Sequence, residues 1–92
     1  MQKLLQDIHI GKRLKQLRIA AGLSQEEMVA KFELHGRIMS RSNYSHIEIG
    51  LRNIYVSDLI LIKEILGVSF DDIFEGITSD DIKYQSTEQE EE

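Results

Sequence analysis

Four serines, each opening a stretch of apolar residues at helical spacing, set the narrowest limit on what this sequence can fold into. Ser24, Ser40, Ser57 and Ser69 stand at the starts, and Gly36, Gly50 and Gly67 close the first three stretches. A serine hydroxyl accepts from backbone N–H groups that a helix start leaves bare, and glycine takes the left-handed conformation with which many helices stop. The clearest of these signals is Ser24-Gln25-Glu26-Glu27. It reads as a capping box, in which Ser24 accepts from the Glu27 backbone while the Glu27 carboxylate reaches back. The chain contains no proline, so glycines and caps must end its helices.

Five helices follow from this punctuation. The first is expected from about Ile8 to Ala21, with Ile10, Leu14, Leu17 and Ala21 as its apolar stripe, Asp7 as a candidate cap and Gly22 as its stop. The second, from Ser24, buries Met28, Val29 and Phe32; the third, from Ser40, turns Tyr44 and Ile47 inward. The fourth opens at Ser57 and buries Leu59, Ile62 and Leu66, and Ser69 with Asp72 opens a short fifth helix carrying Ile73 and Phe74. Strand alternation is nowhere sustained, so the fold class is all-α, a five-helix bundle over about residues 8–75 with Leu23 and Val68 completing its core. The 92 residues suffice for one domain. That domain is expected to span 1–76. Residues 77–92 form an acidic tail ending in Glu88-Gln89-Glu90-Glu91-Glu92, expected to be flexible because it has little apolar surface to bury.

Several functions are set aside by composition. There is no cysteine, which removes disulfides and thiolate metal sites. His9, His35 and His46 fall on separate segments with no clustered acids, so neither a metal site nor a catalytic triad is expected, and no glycine-rich phosphate loop is present. An enzyme and a bound cofactor are therefore not expected. The longest apolar run, Leu59–Ile62, is far short of the ~18 residues that cross a bilayer, and Met1–Gly11 lacks the apolar block of a secretory signal, so a cytoplasmic protein is expected. The net charge of −5 argues against nucleic acid until its distribution is considered. Residues 1–53 hold nine basic and five acidic side chains, a balance of +4, whereas residues 54–92 hold two basic and eleven acidic, a balance of −9. A basic working half and an acidic remainder are implied, and binding depends on local potential rather than on the total.

The segments Gly11-Lys12-Arg13-Leu14-Lys15-Gln16-Leu17-Arg18, Gly22-Leu23-Ser24-Gln25-Glu26-Glu27-Met28-Val29 and Ser40-Arg41-Ser42-Asn43-Tyr44-Ser45-His46-Ile47-Glu48-Ile49-Gly50 occur in that order, followed by Leu66-Gly67-Val68-Ser69-Phe70-Asp71-Asp72-Ile73. Together they resemble the XRE, or lambda-repressor-like, helix-turn-helix family over about residues 8–75. The resemblance implies a transcription regulator, a repressor by preference, that binds double-stranded DNA as a homodimer with helices two and three as the helix-turn-helix.

A recognition helix must bury one side and show short polar groups on the other. Tyr44 and Ile47 meet the first need, and Arg41, Ser42, Asn43, Ser45 and His46 meet the second, as candidate base contacts. Arginine pairs with guanine and asparagine with adenine in two-pronged fashion, and serine with several base edges. The resemblance places the first turn of this helix in the major groove. The same five side chains on an unrelated helix would be an ordinary solvated face. Gln25, at the start of helix two, is a candidate phosphate contact beside free N–H groups and the positive end of the helix dipole, or simply a polar first-turn residue. Arg37 and Arg52 flank helix three as candidate phosphate neutralisers, Arg37 with an ordinary surface role as the competing reading. Arg18 and Glu48 each sit between apolar neighbours, and the resemblance implies a partly buried salt bridge between them. Two features depart from the pattern: the long Glu33–Met39 connection, and Lys63 where many relatives have a small apolar residue, which suggests a looser fit or a lysine stem lying along the surface. A competing function is a protein-binding, antitoxin-like module on the same fold, its acidic C-terminal half (Asp71, Asp72, Glu75, Asp80, Asp81 and the tail) meeting a basic partner.

Overall fold

Ser24 Oγ accepts the Glu27 N–H at 3.0 Å and Glu27 Oε1 accepts the Ser24 N–H at 2.8 Å, so the capping box closes from both sides and a helix starts at Gln25. Ser69 and Asp72 repeat the arrangement at 3.0 and 2.9 Å, and Ser40 Oγ accepts the Asn43 N–H at 3.0 Å. These caps, with Gly22, Gly36, Gly50 and Gly67 all at positive φ, divide the chain as expected. The computed structural model describes residues 3–4 and 10–81. Among them lie β1 (Lys3–Leu4), α1 (Gly11–Ala20), α2 (Gln25–Leu34), α3 (Arg41–Glu48), β2 (Ile54–Tyr55), α4 (Val56–Leu66), α5 (Phe70–Ile73) and a 3-10 turn at Ser79–Asp81. Asp7, His9, Ile82 and the Glu88–Glu92 run fall outside the described residues.

The fold is the expected all-α bundle with one addition: β1 pairs antiparallel with β2, Lys3 opposite Tyr55 and Leu4 opposite Ile54. Strands of two residues carry no detectable alternation, so this pairing left no trace in the sequence pattern. It also moves a boundary. α4 starts at Val56 with Tyr55 as its N-cap and no side-chain cap, rather than at Ser57. Ser57 stands inside the first turn instead, its hydroxyl buried with no hydrogen-bond partner among the described residues. α1 likewise starts at Gly11, its N-cap Ile10 making no side-chain hydrogen bond. The chain stays with the core past residue 76, since Ile77 is half-buried against it and donates its N–H to Phe74 O at 3.0 Å.

The core contains Leu14 of α1, Met28 and Phe32 of α2, Tyr44 and Ile47 of α3, Leu59 and Ile62 of α4 and Ile73 of α5, all essentially without solvent contact. Leu17, Leu23, Val29, Leu66 and Val68 pack around them half-buried. Ile10, Met39 and Ile54 complete the core; Met39 in a connection and Ile54 in the two-residue β2 were unassigned by helical periodicity. Phe74 is 43% exposed: as the C-cap of the four-residue α5 it lies a quarter-turn past Ile73 and off the buried face. Lys63 is half-buried, with its ammonium 5.4 Å from the Phe70 ring centre, so the stem lies along the surface and the charge rests on an aromatic face. No described helix is long and apolar enough to cross a membrane.

Phe32 joins the two halves of the helix-turn-helix: its ring lies 6.1 Å from that of Tyr44, tilted at 55°. Phe32→Ala removes a fully buried aromatic and should cost ~3–5 kcal/mol, much of the ~5–15 kcal/mol a domain of this size possesses. The check is chemical denaturation followed by circular dichroism. A loss under about 1 kcal/mol would show that Phe32 is not central.

Candidate nucleic-acid interface

α3 has only eight residues, and every feature of its outer face depends on how the inner face is held. Successive residues are ~100° apart around a helix. Arg41, Ser45, Ser42 and His46 therefore share one arc of ~140°, and these four line a single shallow depression at the surface. Tyr44, Ile47 and Glu48 occupy the buried remainder. Asn43 is half-buried on the border between the two arcs. Of the five candidate base contacts, four thus share one outward arc, Arg41, Ser42 and His46 exposed and Ser45 half-buried, and Asn43 stands at its margin.

The inner face is fixed by a buried ion pair. Arg18 Nε donates to Glu48 Oε2 at 2.7 Å and Arg18 Nη2 to Glu48 Oε1 at 3.1 Å, both side chains almost wholly out of solvent. Arg18 Nη1 donates to Leu23 O at 2.7 Å, and Gln25 Nε2 donates to Glu48 Oε1 at 3.0 Å. One carboxylate of α3 thereby meets α1 and the first residue of α2, and its partner Arg18 reaches on to the turn between them. Burial alone would raise the Glu48 carboxyl, but hydrogen bonds from Arg18 and Gln25, with the Arg18 charge, outweigh it and hold the group below the ordinary carboxylate range. Burial pushes the Tyr44 phenol well above its usual value, and the adjacent Glu48 charge adds to that rise.

The candidate phosphate contacts separate on inspection. Arg52 is exposed just past the C-terminal end of α3. Gln25 has one amide hydrogen committed to Glu48, and Glu26 and Glu27 already complement the dipole at the start of α2, so an anion there competes with two carboxylates. Arg37 is engaged within the fold. Its Nε and Nη2 donate to Asp58 Oδ1 and Oδ2 at 2.8 and 3.2 Å, Nη1 donates to Ile38 O at 3.3 Å, and the guanidinium lies 5.7 Å from the Tyr55 ring centre. Asp58 is buried and would be an uncompensated charge without it. The pair ties the long connection before α3 to α4. Within that connection Leu34 is 83% and Ile38 78% exposed, while Met39 is buried. Two features escaped sequence reasoning: the Gln25–Glu48 bond and the Arg37–Asp58 pair join residues 23 and 21 positions apart, beyond any local pattern. Among the described residues no group of His, Cys, Asp or Glu is placed to hold a metal ion.

A family model described as a helix-turn-helix domain matches residues 9–73. Among solved structures, the chain is similar to the restriction-modification controller protein C.Esp1396I, at 29% identity and a TM-score of 0.61, over 75% of this chain and 84% of that one. The same controller protein, solved as a tetramer in complex with its natural 35-base-pair operator, gives a TM-score of 0.60 at 29% identity, with the same coverage of both chains. The controller protein C.AhdI from Aeromonas hydrophila is 31% identical, with a TM-score of 0.59 over 74% of this chain and 96% of that one. No curated protein matches the chain.

The Glu48 network makes a pH-dependent prediction. A carboxyl held below its unfolded value stabilises the fold fully above about pH 4.5, and that contribution is lost as pH falls through the lower folded-state value. Glu48→Gln leaves Arg18 buried without its counter-charge and should cost ~3–5 kcal/mol at pH 7. The gap between the two proteins should narrow as pH falls through that lowered folded-state value, below which Glu48 is itself neutral. Denaturant titrations of both proteins across this range provide the measurement, and a pH-independent gap would contradict the assignment.

Proposed function

The chain belongs to the helix-turn-helix domain family, and from that premise we propose that it is a sequence-specific DNA-binding transcription regulator acting as a repressor in the cytoplasm. The observation that carries the reading is the exposed arc of α3, where Arg41, Ser42, Ser45 and His46 offer base-pairing chemistry from a helix whose other side is buried and ion-paired. Arg41 reads guanine through its two-pronged guanidinium, with Ser42, Ser45 and His46 as further base-edge contacts and Asn43 at the margin of the groove. Arg52, and the backbone N–H of Gln25 more than its amide, hold phosphates and set the register. The likeness to a controller protein solved on its operator supports the same reading. Acidic residues in and after α5 are partly engaged within the fold, since the Asp72 carboxylate accepts the Ser69 N–H at 2.9 Å and Glu75 Oε1 accepts from Arg13 at 3.1 Å. This lowers the standing of a purely protein-binding, antitoxin-like role.

One such module buries too little to bind tightly at physiological salt, and two recognition helices roughly 34 Å apart reach successive turns of one DNA face. A homodimer meets that need. Ile60 of α4, Phe70 of α5 and Phe74 at its end are exposed apolar side chains suited to the contact. No catalytic role is proposed.

Selection of bound sequences from a random duplex pool tests the reading. The wild type should enrich one motif, and Arg41→Ala should relax it at one position, losing ~1–3 kcal/mol of discrimination. Arg52→Ala should instead weaken all sequences alike and reduce the salt slope by about one. If the wild type enriches nothing at low salt, the DNA-reading role fails and a basic protein partner becomes the leading idea. Sedimentation should give a dimer that Phe70→Glu dissociates; a monomer at high concentration with and without DNA would remove the dimer.

A further inference from the structure

Gly11 is the buried first residue of α1, and it lies against the carboxyl end of α3. A Cβ at this position would sit 2.6 Å from the Glu48 carbonyl carbon and closer still to the carbonyl oxygens of Ile47 and Glu48. All three neighbours are backbone atoms, so no rotamer change relieves the clash. Ordinary contact begins near 3.4 Å, and a methyl group here must part the two helices by on the order of 1 Å. The approach also has favourable polarity. α1 begins without a side-chain cap and without an acidic residue in its first turn, so its bare N–H end faces the carbonyl end of α3.

Glu48 is already held by its carboxylate, through Arg18. Gly11 and Arg18 lie seven residues apart, roughly 10 Å along α1. We propose that α1 grips Glu48 at two separated points, its backbone against Gly11 and its carboxylate against Arg18, and that Gly11 is thereby a positioning residue for the DNA-reading face of α3. A single attachment leaves a short helix free to pivot about it, whereas two fix its tilt. Arg41, at the opposite end of α3, moves furthest when the grip at Glu48 shifts. Hydrogen bonds to base edges weaken steeply with small displacements, while phosphate contacts tolerate them. The inference rests on α3 being the helix that reads DNA, and its test separates the two ideas.

Gly11→Ala is compared with wild type and with Gly67→Ala. Gly67, at φ +67° with open space around it, supplies a destabilised control whose strain is remote from α3. Two quantities are read on folded protein: backbone amide shifts of Arg41–Glu48 by NMR, and the ratio of affinities for the selected duplex and a random duplex. Gly11→Ala should shift amides along the whole of α3 as far as Arg41 and lower the ratio by ~10-fold or more, with random-duplex affinity within about twofold. Gly67→Ala should do neither. If Gly11→Ala fails to fold, Arg18→Lys, which keeps the charge but gives up the two-pronged grip, should show the same extended shift pattern and the same loss. Shifts confined to residues beside the substitution, or an unchanged ratio, overturn the proposal. Absence of any preferred duplex for the wild type defeats the DNA reading alone, and the amide shifts then still decide whether α1 sets α3.

Discussion

Glu48 is a carboxylate placed where water cannot reach it, and the helix-turn-helix is arranged around satisfying that one group. Arg18 meets both of its oxygens, Gln25 adds a third donor, and the remaining arm of Arg18 returns to Leu23 O in the turn between α1 and α2. Set against a well-packed apolar cluster of the same volume, a buried ion pair contributes little stability. What this one supplies is direction, because a two-pronged contact closes in only one relative orientation. An isolated helix of eight residues does not hold its shape in water, so α3 borrows its rigidity from α1 and α2. Phe32 against Tyr44 adds the apolar part of the same joint.

A second buried acid, Asp58, does for the flanks of α3 what Glu48 does for its inner face. Its partner Arg37 belongs to the connection before α3, Tyr55 under the guanidinium belongs to the segment after it, and Asp58 itself is in α4. The loops on either side of α3 are therefore tied to one corner of the core, where β1 also pairs with β2. The division of the chain into a basic half and an acidic half weakens in light of these contacts. Arg13 and Arg37 spend their charge on Glu75 and Asp58 from the acidic half, and Arg18 spends its own on Glu48. The positive potential near α3 rests on fewer cations than the sequence count implies.

What the sequence made legible was local. Capping boxes at Ser24 and Ser69 are complete within four residues, and glycines at helix ends act through their own φ, so the helices, their order and most of the core could be read directly. The start of α4 was misplaced because strand pairing with residues fifty positions away sets it, not the serine beside it. Arg37 was read as a phosphate neutraliser or a plain surface cation because nothing within its own connection reveals a buried partner 21 residues downstream. Gly11 looked like part of a motif; only the crossing of α1 over α3 gives the missing side chain a reason. The outer face of α3 was legible as chemistry, but the margin position of Asn43 required the helix to be placed in three dimensions.

The first turns of the helices with side-chain caps set α3 apart from α2 and α5. α2 opens with Glu26 and Glu27 and α5 with Asp71 and Asp72, acids where the positive end of the dipole favours them. α3 has no acid in its first turn and begins with an exposed arginine, the charge that the same end disfavours. Left in water this choice is mildly destabilising, and nothing in the fold offsets it, since no described ion pair involves Arg41. An anionic or electronegative surface brought to that end reverses the sign: phosphates accept from the free N–H groups and guanine accepts from the guanidinium. Local rules broken without an internal compensation tend to mark functional positions. In a chain of net charge −5 a general attraction to an anionic surface is weak, so binding to one would lean on local exceptions of this kind.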